Sequence, residues 1–155
     1  MRRYIVIMFA LMAFAMPLMK AQTALDIEGL ITQERMIARY GEPDSVIVRL
    51  YPDDAFARYE HYYYGDDYLQ VVDGDLIQYY LKTSRFSLFN DIIEGGVKVG
   101  DPVSKILNST YIKKKERNSQ YHVYDIWIGV YDDPVQVGMD ETETYIANFY
   151  YYYVM

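Results

Sequence analysis

The chain has 155 residues, of which 52% are apolar and 24% are charged, and its formal net charge is −7. This length suits one compact domain or two small half-domains that share a core, and the apolar content excludes a disordered chain. The absence of cysteine excludes disulfides, thiolate metal sites and a lipid-modified N-terminal cysteine. Tyrosine is unusually frequent, with 19 copies, and this residue favours strands and half-buried surfaces.

Residues 1–21 have the pattern of a secretory signal. Arg2 and Arg3 form a basic start, and an almost unbroken apolar run over residues 5–19 follows. The run is shorter than the roughly 20 residues that a transmembrane helix needs. We therefore predict cleavage before Gln22, with cleavage after Ala24 as an alternative. The mature protein is expected to be soluble and extracytoplasmic, either periplasmic or secreted, and not a lipoprotein. A retained membrane anchor is the competing interpretation.

Loss of residues 1–21 removes three basic residues and no acid, which lowers the net charge from −7 to −10. A nucleic-acid partner is not predicted, because phosphates require a basic face. Adsorption to anionic lipid is disfavoured for the same reason. An acidic surface permits a basic partner, although it also serves solubility alone.

The first half of the remaining chain predicts one helix followed by an antiparallel meander. Apolar residues recur at helical spacing over residues 26–40, Thr32 is a candidate N-cap, and Gly41 followed by Pro43 ends the helix. Gly29 leaves open a break into two short helices. Turn signals such as Asp73-Gly74 then separate four strands. The predicted strands cover residues 45–51, 56–64, 68–72 and 76–82.

The second half predicts the same order of elements. A connector over residues 83–96 has apolar anchors and is expected to pack against the core. Asp101 as N-cap and Pro102 at the first helical position predict a second helix that ends at Asn108. The strands that follow are predicted over residues 110–116, 120–131, 135–138 and 144–154.

The two halves match in residue pattern as well as in order. The candidate N-caps Thr32 and Asp101 lie about 70 residues apart, and residues 66–71 align with residues 132–137 at a similar spacing. We therefore predict a signal over residues 1–21, a first repeat over 22–94 and a second repeat over 95–155. The predicted fold class is α+β, with two tandem units of a short helix plus an antiparallel sheet in one compact body, and with the helices packed on one face of the sheet.

Two short motifs resemble known families. A helix followed by Tyr40-Gly41-Glu42-Pro43 and aromatic strands resembles the repeating unit of the SmpA/BamE outer-membrane assembly proteins. Residues 96–106, GVKVGDPVSKI, resemble the opening of tandem proteins in the beta-lactamase-inhibitor-protein (BLIP) superfamily. This resemblance implies an α+β fold with helices on one side of an antiparallel sheet, and binding rather than catalysis. The chain departs from both patterns by lacking lipid-attachment and disulfide cysteines, and no contact residue is carried over.

Catalytic and metal-binding constellations are weak. His61 and His122 occupy corresponding strands of the two halves, and a metal site could combine them with Glu60 or Asp125. Duplicated structural histidines explain the same spacing, and we favour that interpretation. Paired aspartates fall in predicted turns without the alternating spacing of a calcium loop. We predict no enzyme activity, no cofactor and no metal.

The single basic run, Lys113-Lys114-Lys115 with Arg117, falls on a polar strand. We predict that this strand forms an edge of the sheet, where lysine blocks pairing with other chains. Contact with an acidic surface, such as lipid A or a cell-wall polymer, is the alternative.

Tyrosine-rich strands give the best functional lead. Successive strand residues point to opposite faces, so one tyrosine set joins the core and the other coats an open face. Tyrosine and tryptophan anchor protein interfaces and stack on sugars. We predict an envelope or extracellular protein as the partner, with a carbohydrate or envelope polymer as the alternative, and a divergent hydrolase or metal enzyme as a third hypothesis. The predicted binding residues are Tyr62, Tyr64, Tyr121, Trp127, Tyr131, Tyr151 and Tyr153.

Overall fold

A computed structural model describes residues 31–51, 54–118, 120–128 and 134–152. These residues form one eight-stranded antiparallel sheet and two short helical segments. The helical segments are α1 (Gln33–Tyr40) and the single turn α2 (Ser104–Leu107). The strands are β1 (Ser45–Tyr51), β2 (Asp54–Tyr64), β3 (Asp67–Val72), β4 (Asp75–Leu81), β5 (Ile112–Asn118), β6 (Val123–Ile128), β7 (Val135–Met139) and β8 (Ile146–Tyr152).

Each half of the chain contributes four consecutive strands to this sheet. The strand order is β1-β2-β3-β4-β8-β7-β6-β5, so the halves meet where β4 pairs with β8. At this junction Tyr79 pairs with Tyr151 and Leu81 pairs with Phe149. The two halves therefore form one continuous sheet. Strands β1 and β5 form its two described edges.

The predicted α+β class, with two helix-plus-sheet units and helices packed on one face, is wrong. The described residues are mainly β, with one eight-residue helix and one helical turn of four residues among them. The predicted N-cap Asp101 instead accepts hydrogen bonds from the Lys98 N–H at 2.9 Å and from Lys105 Nζ at 3.0 Å. This loop geometry delays the helical turn to Ser104, and Asn108 ends it as predicted.

Helix α1 ends where its sequence indicates, but it begins at Gln33, so the helix predicted over residues 26–40 is interrupted at Thr32. Thr32 is extended at the N-cap, and its hydroxyl accepts a hydrogen bond from the Arg35 N–H at 3.3 Å. Gly41 follows the last turn with φ of 84°, a value that side-chain-bearing residues rarely adopt. Met36 is fully buried and attaches the helix to the sheet. The predicted start at residue 26 lies outside the described residues.

The core lies on the face of the sheet that carries Tyr62, Leu69 and Tyr79, and Met36 of α1 belongs to it. Because α2 is short, the segment between β4 and α2 covers much of this face with Phe86, Leu88, Phe89 and Val97. The Phe89 and Phe149 rings meet edge to face at a centroid separation of 6.3 Å. The predicted connector is thus a packed part of the core.

Asp67 fixes the start of this connector. It is completely buried, and its Oδ1 accepts hydrogen bonds from the N–H groups of Lys82 at 2.6 Å and Thr83 at 2.8 Å. Its Oδ2 accepts one from the Thr83 hydroxyl. A buried carboxylate is stable only with such partners. The bonds hold the chain as it leaves β4, so the aspartate acts as a structural clamp.

Candidate functional site

Strand register divides the tyrosines between the two faces of the sheet. Tyr62 lies opposite Leu69, Leu69 opposite Tyr79, and Tyr79 opposite Tyr151, all on the core face. The neighbouring residue on each strand points the other way. The face opposite the core, called the open face below, therefore carries a separate set of aromatic side chains.

Four tyrosines form a row across the open face. Tyr63, Tyr68, Tyr80 and Tyr150 are direct register partners on the adjacent strands β2, β3, β4 and β8. The Tyr63 and Tyr68 ring centroids lie 5.3 Å apart, and the Tyr80 and Tyr150 rings meet edge to face at 6.1 Å. Tyr152 extends this tyrosine row along β8 and is 50% exposed. The rings therefore form two contacting pairs on one surface.

The chemistry of the open face changes from one side of the sheet to the other. The tyrosine row continues in register through Gln136 on β7, Asp125 on β6 and Glu116 on β5. The Gln136 side-chain amide donates a hydrogen bond to Asp125 at 3.0 Å. On the aromatic side, Lys82 Nζ lies 4.9 Å from the Tyr80 ring centroid, a cation–π geometry. A ligand that spans the whole row would contact aromatic rings at one end and carboxylates at the other.

His61 lies on the open face beside the tyrosine row. Its Nδ1 is 2.9 Å from the Tyr68 hydroxyl, and its ring stacks on Tyr68 at a centroid separation of 6.0 Å. Burial, with a smaller contribution from the Arg49 charge, lowers the pKa of His61 below its ordinary value. Its Nε2 is buried with no hydrogen-bond partner among the described residues. These contacts hold the Tyr68 ring in place.

His122 has a different setting, in the turn before β6. Its Nδ1 is 2.9 Å from Glu143 Oε1, which also pairs with Arg117 at 2.5 Å. Hydrogen bonds from Arg117 and His122 lower the pKa of Glu143. The two histidines thus belong to separate contacts, one with a phenol and one with an ion pair. Within the described residues, no group of three or more His, Cys, Asp or Glu side chains could hold a metal ion.

A groove of about 520 Å³ lies beside α2 on another part of the surface. Lys105, Asn108, Ser109 and Tyr111 contribute to its lining. The Lys105 ammonium is engaged by Asp101 at 3.0 Å. No acid–base pair or nucleophile with an activating partner converges in this lining, so the groove does not supply a catalytic arrangement.

The structure divides the seven predicted binding residues. Trp127 is half-buried and lies two positions from Asp125 on the open face, and Tyr121 is exposed in the turn before β6. Tyr62, Tyr64 and Tyr151 are buried in the core, so their prediction as exposed contacts is wrong. Tyr131 and Tyr153 lie outside the described residues.

The error in Tyr62, Tyr64 and Tyr151 is a shift of one residue along the strand. Such a shift moves every side chain to the opposite face. The residues missed by the prediction were Tyr63, Tyr68, Tyr80, Tyr150 and Tyr152. A local signal for them existed, because Leu69 and Val71 mark the core face of β3 and a two-residue turn sets Tyr62 opposite Leu69.

Within the described residues, no helix has the length and apolar character needed to cross a membrane. Comparison of the chain with protein-family models, curated proteins and solved structures finds no match. The resemblance to the SmpA/BamE and BLIP families therefore stays a prediction, and the geometry of the open face is the basis for a functional proposal.

Proposed function

We propose that the protein is a non-catalytic binding module whose partner is another protein that docks on the open face. The observation that carries the proposal is the tyrosine row, which places Tyr63, Tyr68, Tyr80 and Tyr150 on four adjacent strands of one surface. Tyrosine supplies a large contact area with little loss of side-chain entropy, and it is enriched among the residues that dominate interface energies.

Rigidity supports this proposal. The tyrosine row stands on paired strands in the middle of the sheet, and its rings contact in two pairs, Tyr63 with Tyr68 and Tyr80 with Tyr150. Side chains already ordered before binding lose less entropy when a partner docks. The partner expected from the chemistry presents apolar groups to the tyrosines and basic groups toward Asp125 and Glu116. The signal-like residues 1–21 direct the search to the cell envelope and the extracellular medium.

Capture of partners by two matched variants tests the proposal. Tyr80→Ala with Tyr152→Ala removes two exposed rings from the open face, whereas Tyr111→Ala removes an exposed ring that lines the groove beside α2. We expect the wild type and the second variant to capture the same envelope protein. The purified partner should then bind the first variant at least about tenfold more weakly, which corresponds to about 1.4 kcal/mol. Equal affinity for both variants, with both proteins folded, would refute the proposal.

A carbohydrate polymer is the second candidate, and one observation favours it. Gln70 and Gln78 are direct partners across β3 and β4, immediately beside the tyrosine row on the same face. Amide groups next to aromatic rings offer hydrogen bonds and stacking to a sugar. Equilibrium binding of purified envelope polysaccharides to the same two variants distinguishes the candidates. Loss of polysaccharide binding in the Tyr80/Tyr152 variant alone, without a captured protein, would favour the carbohydrate.

A further inference from the structure

The two described edges of the sheet differ in their protection against pairing. At one edge, β5 carries three consecutive lysines, and Lys115 Nζ donates hydrogen bonds to the carbonyls of Leu107 at 2.5 Å and Ser109 at 3.2 Å. At the other edge, β1 has the sequence SVIVRLY, without lysine or proline. Lysine and proline are common devices against edge-to-edge pairing. Strand β1 lacks both.

The apolar side chains of β1 are exposed. Ile47 and Val48 are 40% and 47% exposed, and Leu50 is 70% exposed. Register with β2 places Val48 and Leu50 on the core-face side of the sheet and Ile47 on the open-face side. These residues form an apolar strip along the sheet edge, and no second described strand pairs with β1.

Hydrogen bonds on the far side of β2 show which backbone groups of β1 point outward. The Arg58 carbonyl accepts a hydrogen bond from the Asp73 N–H at 3.1 Å. The backbone N–H and C=O groups of Arg58, and of every second residue after it, therefore point toward β3. The residues between them, including Tyr59 and His61, face β1 and pair with Arg49 and Ile47. Antiparallel strands alternate in this way. The backbone groups of Val46, Val48 and Leu50 therefore point away from the sheet.

We propose that this edge pairs with β1 of a second copy of the chain, antiparallel and with the two-fold axis at Val48. In this register Val48 lies opposite Val48 of the second copy, and Val46 lies opposite its Leu50. All three outward-facing residues are then used in both copies, with two hydrogen bonds for each of the three pairs. The apolar side chains of one copy cover those of the other on the core-face side.

Charge selects this register. Arg49 is the one charged residue of β1, and with the axis at Val48 it lies opposite Ile47 of the second copy. An axis at Arg49 would set two arginines directly opposite each other, which is destabilising. An axis at Ile47 would set the charged Asp44 opposite Leu50, so Leu50 would have no apolar partner. The strand is therefore self-complementary about one residue.

The proposed contact closes on itself. A two-fold contact uses the same edge in both copies, and the lysine-bearing β5 edges stay outermost, so the assembly stops at two. Both open faces lie on the same side of the joined sheet, because paired residues of antiparallel strands point to the same face. The pair presents two tyrosine rows on one surface and offers a repetitive partner two contacts at once.

Cysteine cross-linking tests both the pairing and its register, because the natural chain has no cysteine. Val48→Cys, expressed from the full 155-residue sequence, should form a disulfide-linked dimer in a glutathione buffer, since opposed Cα atoms lie about 5.5 Å apart. Leu50→Cys is the matched control, because it is the more exposed position and lies four residues from its own copy, roughly 13 Å away. We expect it to stay unlinked.

Several outcomes would overturn the proposal. Equal cross-linking of the two cysteine variants would indicate random collision. Absence of cross-linking in Val48→Cys would refute the pairing, and stronger cross-linking of Ile47→Cys would refute the proposed register. Sedimentation equilibrium of the wild type over about 1 μM to about 1 mM should show reversible dimerisation. Val48→Lys should weaken it at least tenfold with unchanged circular dichroism, and Val48→Thr should preserve it. A wild type that stays monomeric but captures a different protein through β1 would assign the edge to that protein.

Discussion

Tyr79 and Tyr80 are adjacent in sequence, yet the two faces of the sheet use their tyrosines differently. Tyr79 is fully buried, stacks on Tyr151 at a centroid separation of 5.5 Å, and its hydroxyl has no hydrogen-bond partner among the described residues. Tyr80 is 36% exposed, with a cation above its ring. The core uses tyrosine for its volume, whereas the open face uses it as an amphipathic surface.

Alanine substitutions at Tyr79 and Tyr80 should show the largest difference in the free energy of unfolding. Tyr79→Ala opens a cavity beneath the sheet and should lower the free energy of unfolding by about 3–5 kcal/mol. Tyr80→Ala removes cross-strand contacts at the surface and should lower it by less than about 1 kcal/mol. Urea unfolding measures both. Similar losses at the two positions would contradict the assignment of faces.

Removal of single hydroxyls sharpens the comparison within the core. Tyr62 donates a hydrogen bond to Glu60, which also pairs with Arg58 at 2.7 Å, so Tyr62→Phe should cost about 1–2 kcal/mol. Tyr79→Phe removes a buried hydroxyl without a described partner, and it should be neutral or stabilise by up to about 1 kcal/mol. Thermal unfolding of the two variants provides the measurement. A destabilised Tyr79→Phe would reveal a partner for that hydroxyl.

The pH dependence of stability should show the smallest effect and should report on the open face. The pKa of His61 lies below the ordinary 6.5, mainly because of burial, so the unfolded chain takes up this proton first. Stability is therefore unaffected by His61 well above pH 6.5 and falls as the pH drops below that value. His61→Gln should remove this loss while retaining a polar contact with Tyr68. An unchanged pH profile between pH 7 and 5 in this variant would show that His61 is not its source.

The pKa values of Asp140 and Glu143 are lowered in the folded chain, so these groups add a separate loss of stability at more acidic pH. Asp140 accepts hydrogen bonds from the Thr142 hydroxyl and from the N–H groups of Thr144 and Tyr145. Both carboxyls bind protons less readily in the folded chain, so their stabilisation is lost as the pH falls through their folded pKa values. The His61→Gln variant should retain this loss of stability at acidic pH.

Much of the first half was predictable from local chemistry. Thr32 and Gly41 bound α1 as predicted, and β1 has the predicted limits. The Asp73-Gly74 turn has positive φ at both residues, as this dipeptide favours in a two-residue hairpin. These features depend on few neighbouring residues, which is why the sequence pattern was sufficient.

The prediction of a helix starting at Asp101 failed because this residue makes other hydrogen bonds. Asp101 and Pro102 are typical helix-start residues, but Asp101 holds the Lys98 backbone and its own N–H donates to the Lys98 carbonyl. The Pro102 backbone also forms an isolated bridge to Tyr145, just before β8. Long-range pairing therefore outweighed local helix propensity.

The sequence by itself determined a tyrosine-rich antiparallel meander in each half and a polar, lysine-bearing strand at one edge. These properties follow from local alternation, turn residues and charge, which are readable in short windows. Tertiary structure decided that the two meanders join through β4 and β8 into one sheet and that the segment after β4 covers its core. It also decided which tyrosines of β8 face outward, because the run Tyr150-Tyr151-Tyr152 offers equivalent rings to both faces, and only its long-range register with β4 chooses between them.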